Sequence, residues 1–219
     1  MDMNKQNIKG IIFDCDGVLI DSIKYWNNIS FEYLKANTVN DIPENMLEII
    51  SHMNLAQVAE YFAEMFFKDK TAEQIKQELL ELIGYQYKFH FQAKKGVVEI
   101  LKKFKDKGLK MCVASASNNN IIEECFKRLN IYDYFEFIIT TEEVGKGKNF
   151  PDIYIQATKK LGLKQSEVII FEDALYAITT AKNANFYVVA VADEDSLNDK
   201  DKIINTADEY LDKIDKFTI

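Results

Sequence analysis

Short apolar runs rich in β-branched residues alternate with helix-favouring stretches along most of the chain, and this alternation constrains the fold most. The runs predicted as strands are residues 8–13, 109–115, 136–140, 167–171 and 186–191. Nearly continuous apolar character is typical of parallel strands that are covered on both faces. The helices predicted between them are residues 97–107, 119–129, 152–161 and 175–184. The sequence therefore predicts an α/β fold with a doubly wound, mostly parallel, Rossmann-like sheet.

The segment after the first predicted strand breaks this rhythm. From about residue 22 to residue 90 the sequence contains no strand-like run and is rich in helix-favouring residues. Ser22, Pro43 and Thr71 are residue types that often begin helices. We therefore expect an all-helical cap domain at residues 22–91, inserted between core segments at residues 1–21 and 92–219.

The composition of the chain limits which binding partners and which cellular compartment we expect. The 219-residue chain is 47% hydrophobic, which suffices for a sizeable core, and its formal net charge is −8 with a pI of about 5.0. Because an acidic surface repels nucleic-acid phosphates and anionic lipids, we expect neither nucleic acid nor a membrane as a partner. The start of the chain lacks a signal-type apolar region, and three cysteines without metal-site spacing are expected to be free thiols. These features predict a cytoplasmic protein, and a monomer is compatible with them.

Polar and charged side chains follow four of the predicted strands, where each strand ends. In open parallel sheets, ligands bind outside the carboxyl ends of the strands. The residues at these positions are Asp14 and Asp16 after the first strand, Ser115, Ala116, Ser117 and Asn118 at the end of the second, Lys148 after the third, and Glu172 and Asp173 at the end of the fourth. Their common edge predicts a functional site.

Each of these residues also has an ordinary structural explanation. The Asp-x-Asp spacing recurs at Asp193/Asp195 and at Asp199/Asp201, which we predict to be solvated or helix-capping acids. Loop serines commonly satisfy backbone groups, and lysines such as Lys146 commonly lie on the surface. Joint placement after four different strands nevertheless favours a site over coincidence.

These residues resemble the four motifs of the haloacid dehalogenase-like hydrolase superfamily, specifically of members with a helical cap after the first core strand. The matching motifs are Asp14-x-Asp16-Gly-Val-Leu, Ser115, Lys148-x-x-Pro151-Asp152 and Phe171-Glu172-Asp173-Ala174. Two stretches depart from the usual pattern: Asn149-Phe150 within the third motif, and Leu175-Tyr176 after the fourth, where relatives often have small residues.

The resemblance implies a Mg²⁺-dependent phosphatase that acts on a small phosphorylated metabolite. Asp14 would be the nucleophile that forms an aspartyl phosphate, and Asp16 would be the general acid and base. Mg²⁺ would be held by Asp14, the Asp16 backbone carbonyl and Asp173, with Glu172 as a direct or water-mediated ligand.

The same resemblance assigns the phosphate contacts. Lys148 would neutralise the nucleophile and the phosphoryl oxygens, while Ser115 and loop amides would donate hydrogen bonds to those oxygens. The loop residues expected to bind phosphate are Gly17, Ala116, Ser117 and Asn118.

Two other functions remain open at this point. Residues 114–119 are similar to the corresponding loop of β-phosphoglucomutase, so a sugar-phosphate mutase is the second candidate, and a non-catalytic phosphate-binding module is the third. Mutase relatives carry a cap histidine twelve residues after the nucleophile, where this chain has Trp26. The cap residues considered for substrate selection are Lys24, Tyr25, Trp26 and His52. Dehalogenating and phosphonate-cleaving relatives lack a carboxylate at the position of Asp16, so phosphate ester chemistry is favoured.

Overall fold

The computed structural model describes residues 7–50, 53–194 and 196–219, excluding the side chains of residues 23, 24, 26 and 27. His52, Asp195 and the side chains of Lys24 and Trp26 therefore lie outside the described part. The chain divides into two units. The sheet unit combines the segment that ends at Ile23 with Phe91–Ile219, and the helical unit is Lys24–His90. Among the described helices, none combines the length and apolar character needed to span a membrane.

The strands of the sheet unit form one parallel sheet in the order β3-β2-β1-β4-β5-β6. They are β1 (Gly10–Phe13), β2 (Lys110–Ser115), β3 (Ile138–Thr140), β4 (Val168–Glu172), β5 (Tyr187–Val191) and β6 (Glu209–Leu211). The chain adds strands on one side of β1 and then returns to the other side with β4. This reversal places the topological switch point between β1 and β4, where ligands of such sheets bind. The predicted doubly wound α/β fold is confirmed.

Ten α-helices lie in the described part of the chain: α1 (Ile23–Ala36), α2 (Met46–Ile50), α3 (Leu55–Met65), α4 (Ala72–Phe89), α5 (Val97–Asp106), α6 (Asn119–Arg128), α7 (Thr141–Val144), α8 (Asp152–Lys160), α9 (Leu175–Asn183) and α10 (Lys200–Thr206). The predicted helices correspond to α5, α6, α8 and α9. Gly108 and Gly162 adopt the left-handed conformation just after α5 and α8, at φ 73° and 71°, as expected for helix-terminating glycines.

The two faces of the sheet bury different kinds of side chain. On one face, Phe13 and Phe171 are register partners, and their rings lie 5.0 Å apart. Phe104 from α5 and Phe217 complete this aromatic layer, with Phe217 at 5.1 Å from Phe171. On the other face, aliphatic side chains such as Ile12 pack with residues of α8, α9 and α10. Helices on both faces explain why the strand sequences are apolar throughout.

The helical unit has its own buried core. Side chains including Phe62 from α3 and Leu79 from α4 are buried, and Tyr33 from α1 stacks on Phe62 at 6.1 Å. The Tyr33 hydroxyl donates to Glu78 at 2.6 Å, and Lys70 also donates to Glu78 at 2.6 Å. Because this network satisfies its polar groups internally, it is compatible with a stable helical layer.

Several boundaries differ from the predictions. β6 was not predicted, because this three-residue edge strand is only half-buried and contains no apolar run. Pro43 does not start a helix: α2 begins at Met46. Thr71 does, since its side chain accepts from the Gln74 amide in a capping box before α4.

Candidate active site

The candidate site lies at the switch point, where the carboxyl ends of β1 and β4 are adjacent. Asp14 follows β1 directly, and its amide donates to the carbonyl of Phe171 at 2.9 Å. Glu172 is the last residue of β4, and Asp173 follows it. Parallel pairing therefore brings acidic residues from distant parts of the sequence to one edge.

A buried lysine links two of these carboxylates. The Lys148 ammonium lies 2.5 Å from Asp14 Oδ1 and 2.7 Å from Glu172 Oε1. Only 4% of Lys148 is exposed. Burial lowers the pKa of this ammonium, but the charges of Asp14 and Glu172 outweigh burial and hold the pKa above its ordinary value. Lys148 is therefore a fixed positive charge, whereas Lys146 is a surface lysine that pairs with Asp152 at 2.8 Å.

Tyr154 in α8 completes the surroundings of Glu172. Its hydroxyl donates to Glu172 Oε1 at 2.7 Å, the same oxygen that Lys148 contacts, while the Asp173 amide donates to Glu172 Oε2 at 3.3 Å. The Glu172 side chain is thus buried with both oxygens engaged. Tyr154 was missed from the sequence because it falls at a core position of an amphipathic helix.

Asp14, Glu172 and Asp173 form an acidic cluster in which one ligand oxygen per residue lies within 4.8 Å of the others. Burial, followed by the charge of Glu172, raises the pKa of Asp14 to about 8 against the opposing effect of Lys148. Burial also raises the pKa of Asp173 well above its ordinary value, as do the charges of Asp14 and Glu172. Three carboxylates around one lysine leave excess negative charge, and a hard divalent cation would relieve it. The cluster therefore fits a Mg²⁺ site.

Asp16 has different surroundings from Asp14. Its Oδ1 accepts from the Ser22 hydroxyl at 2.5 Å, and its Oδ2 accepts from the Ser117 hydroxyl at 2.8 Å. Two hydroxyl donors thus hold both oxygens of this carboxyl group in place. The two aspartates that the sequence pairs are thus held by different chemistry.

The second predicted motif forms the turn between β2 and α6. Ser115 is buried, and its Oγ accepts from the Ser117 amide at 3.0 Å. Ala116 is exposed. The Asn118 side chain caps α6 by accepting from the Asn120 amide at 2.9 Å. The side chains of Ser117 and Asn118 therefore bond within the protein, and the phosphate contacts of these residues and of Ser115 stay predictions.

Gly17 packs directly against the acidic cluster. Its φ is 77°, in the left-handed region, and an added Cβ would lie 2.3 Å from Asp173 Oδ2. A side chain at this position would be both strained and in collision with that carboxylate. Gly17 is needed for the close approach of the loop at residues 14–21, which follows β1, to Asp173.

Asp193 was predicted to be a solvated or helix-capping acid, and this prediction is wrong. Its side chain is only 4% exposed and pairs with Lys94 at 2.7 Å. The Lys94 ammonium also donates to the carbonyls of Gly17 at 2.6 Å and Ala192 at 2.9 Å. No local sequence signal identifies this pair, because its members are far apart in the chain. Asp199, in contrast, lies on the surface and pairs with Lys202 at 2.7 Å.

The prediction that the three cysteines are free thiols is confirmed. Cys15, Cys112 and Cys125 are all free and buried. Burial raises the pKa of the Cys15 thiol, and the neighbouring carboxylates of Asp16 and Asp14 raise it further. This thiol is therefore a neutral, buried packing group between Asp14 and Asp16.

Residues 11–191 match a family model described as haloacid dehalogenase-like hydrolase. The chain is 28% identical to β-phosphoglucomutase from Bacillus subtilis, over 84% of this chain and 83% of that protein. It is 25% identical to a phosphorylated carbohydrates phosphatase from Thermotoga maritima, over 81% of this chain and 82% of that protein.

Solved structures show the same fold. A crystal structure of a haloacid dehalogenase-like hydrolase from Entamoeba histolytica superposes with a TM-score of 0.81 at 22% identity, covering 97% of this chain and 96% of that one. At 22% identity, this match shows the fold alone.

The charge imbalance in the acidic cluster makes a prediction about stability. Because the pKa of Asp173 is higher in the folded than in the unfolded protein, the folded state binds more protons and loses stability as pH rises above the unfolded-state value. Asp173→Asn removes this ionisation while keeping the side-chain shape. In excess chelator, we expect the variant to melt at a higher temperature than the wild type at pH about 8, with the difference shrinking towards pH about 4. Thermal unfolding followed by circular dichroism measures both. A variant that is less stable by the same amount at both pH values would contradict the charge argument.

Proposed function

The chain belongs to the haloacid dehalogenase-like hydrolases, and we propose that it is a Mg²⁺-dependent phosphatase that acts on a small phosphorylated metabolite. The observation that carries the proposal is the buried Lys148 between Asp14 and Glu172, next to a second aspartate held by hydroxyl groups. This arrangement provides one carboxyl group beside a fixed cation and a second carboxyl group oriented by two hydroxyls. Those are the requirements for a nucleophile and a proton donor in the same reaction.

Asp14 would attack phosphorus and form an aspartyl phosphate. A phosphate monoester is dianionic, so a carboxylate nucleophile needs positive charge to approach it. Lys148 supplies such a charge directly at Asp14, at 2.5 Å, and it is held there by Glu172. The reaction forms the bond from the Asp14 oxygen to phosphorus and breaks the bond from phosphorus to the leaving oxygen.

Asp16 would exchange the protons. In the first step its protonated carboxyl group donates to the leaving alkoxide, and in the second it takes a proton from the water that hydrolyses the aspartyl phosphate. The hydroxyls of Ser22 and Ser117, at 2.5 and 2.8 Å, orient this carboxyl group.

Asp14, Glu172 and Asp173 would hold Mg²⁺, together with the backbone carbonyl of Asp16. Their close oxygens and the raised pKa values of Asp14 and Asp173 support this assignment, because both indicate negative charge that the protein does not fully compensate. When bound, Mg²⁺ supplies positive charge that reduces the repulsion between nucleophile and phosphate.

The hydrolase is favoured over the mutase by two features of the sequence. Trp26 stands at the position of the cap histidine in mutase relatives, and an indole donates one hydrogen bond but does not titrate. The chain has a single arginine, Arg128, in α6 of the sheet unit, where it donates to the carbonyl of Phe91. The helical unit therefore offers no guanidinium for a second phosphate. The relatives include both a carbohydrate phosphatase and a β-phosphoglucomutase, so a sugar phosphate is the substrate class to test first.

The nucleophile assignment is tested by Asp14→Asn. We expect the variant to lose all measurable turnover, because an amide does not attack phosphorus, and Asp16→Asn to lose about 10²- to 10⁴-fold for want of acid–base assistance. Release of inorganic phosphate from an aryl phosphate measures both. Asp199→Asn, which changes a surface acid in the same unit, is the control and should keep wild-type turnover. An Asp14→Asn protein that folds and retains near wild-type turnover would exclude the mechanism.

The metal assignment is tested by removal and replacement. Excess chelator should stop phosphate release, and Mg²⁺ should restore it better than Ca²⁺, whose longer and less regular coordination poorly suits in-line transfer. Asp173→Ala should be inactive at Mg²⁺ concentrations that saturate the wild type. Full activity in excess chelator would rule out the metal.

The choice between hydrolase and mutase is tested with β-glucose 1-phosphate and a trace of the 1,6-bisphosphate. We expect inorganic phosphate to appear faster than glucose 6-phosphate, because nothing identified in the chain keeps the aspartyl phosphate from water until a sugar intermediate has turned over. Both products are followed enzymatically in one time course. Isomerisation that clearly outruns phosphate release would favour the mutase.

A further inference from the structure

One lysine outside the four motifs makes an unusual set of contacts beside the site. The Lys94 ammonium donates to the Gly17 carbonyl at 2.6 Å, the Ala192 carbonyl at 2.9 Å and Asp193 Oδ2 at 2.7 Å. An ammonium has three protons, so all three donors are used. The Lys94 side chain is 18% exposed and that of Asp193 is 4% exposed, so the pair is largely shielded from water.

These contacts join three separate segments of the sheet unit. Gly17 belongs to the nucleophile loop, Ala192 and Asp193 follow β5, and Lys94 belongs to the segment that precedes α5. The main chain supports the same junction, since the Lys94 amide donates to the Leu19 carbonyl at 2.9 Å. A bridge between Ile20 and Ala93 lies next to this bond. Both the backbone and the side chain of Lys94 therefore hold the nucleophile loop.

The loop position that Lys94 holds, Gly17, also lies directly against the acidic cluster. Gly17 has no space for a Cβ because Asp173 Oδ2 would lie 2.3 Å from it. A shift of the Gly17 carbonyl changes the gap between this loop and Asp173. The loop also carries Asp14 and Asp16, so the same shift would change the distances among the carboxyl groups of Asp14, Asp16 and Asp173.

We propose that Lys94 and Asp193 are a positioning pair, which fixes the Gly17 carbonyl and thereby holds the nucleophile loop at its position beside Asp173. Lys94 touches no reacting atom and acts through the loop. The inference rests on the proposed function for its effect on turnover, and on the Mg²⁺ assignment for its effect on metal binding. It predicts that loss of Lys94 weakens the site more than it weakens the fold.

The test compares Lys94→Met with Lys110→Met. Lys110 donates to the Leu161 carbonyl at 2.8 Å from the start of β2, at the opposite end of the strands, so it matches the residue type and bond type away from the site. We expect Lys94→Met to lower kcat and Mg²⁺ affinity by about 10- to 100-fold each, as is typical when support for metal ligands is lost. KM for the phosphate ester should change little, and Lys110→Met should retain wild-type kcat and Mg²⁺ affinity. Lys94→Arg should recover part of the loss, because it restores a positive donor.

A second variant separates positioning from an unpaired buried charge. Lys94→Met leaves Asp193 buried without its lysine, which can disturb folding by itself. The double variant Lys94→Met/Asp193→Asn removes both charges and still lacks the bond to the Gly17 carbonyl. We expect it to fold as stably as Lys110→Met while keeping the low kcat and weak Mg²⁺ affinity. Wild-type kcat and Mg²⁺ affinity in the double variant would overturn the proposal.

Calorimetric Mg²⁺ titration keeps this test apart from the test of the proposed function. If the wild type binds Mg²⁺ but releases phosphate from no ester, the phosphatase proposal fails, and the Mg²⁺ affinities of the variants still decide the role of Lys94. If the wild type does not bind Mg²⁺, both the metal assignment and the positioning role are overturned.

Discussion

A single buried ammonium, that of Lys148, lies between two carboxylates at the ends of adjacent strands. Without it, Asp14 and Glu172 would face each other in a shielded environment, where unpaired charges are costly. The lysine compensates only part of the charge, because Asp173 belongs to the same cluster. The negative charge that Lys148 leaves unneutralised favours binding of a divalent cation, and the bound cation would favour binding of an anionic substrate. The proposed arrangement of charges in the site follows from this partial neutralisation of the carboxylates by Lys148.

The two aspartates of the first motif have different partners although they lie in one short loop. Asp14 contacts a lysine, whereas Asp16 accepts from two hydroxyls. The difference arises because each partner comes from another segment: Lys148 follows α7, Ser117 follows β2, and Ser22 precedes α1. The parallel sheet brings these segments to one edge. The side-chain partners of Asp14 and Asp16 are therefore determined by which segments the topology brings next to their loop.

Sequence patterns predicted the parts of the fold and site that depend on local signals. Continuous apolar runs identified β1 to β5, whereas β6 has half-buried residues and pairs only along one edge. Strand ends identified Asp14, Lys148 and Asp173 as neighbours, because the carboxyl ends of parallel strands share an edge. Tyr154 and Lys94 were missed, because a tyrosine in a helix core and a lysine in a loop of the sheet unit carry no local sequence signal of their contacts. The misreading of Asp193 has the same cause: its partner lies far away in the chain.

The central place of β1 has a consequence for how the protein is made. Gly10 pairs with Lys110 on one side and with Val168 on the other, so the first strand to leave the ribosome waits longest for its neighbours. During that interval the segment Lys24–His90 emerges, and it forms one continuous compact unit, which allows it to fold before the sheet is complete. The nascent strand β1 is apolar on both faces and has two open edges, so it needs protection from other chains until β2 is synthesised. Because Glu172 ends β4, Asp14 meets Lys148 and Glu172 together only when most of the chain has emerged.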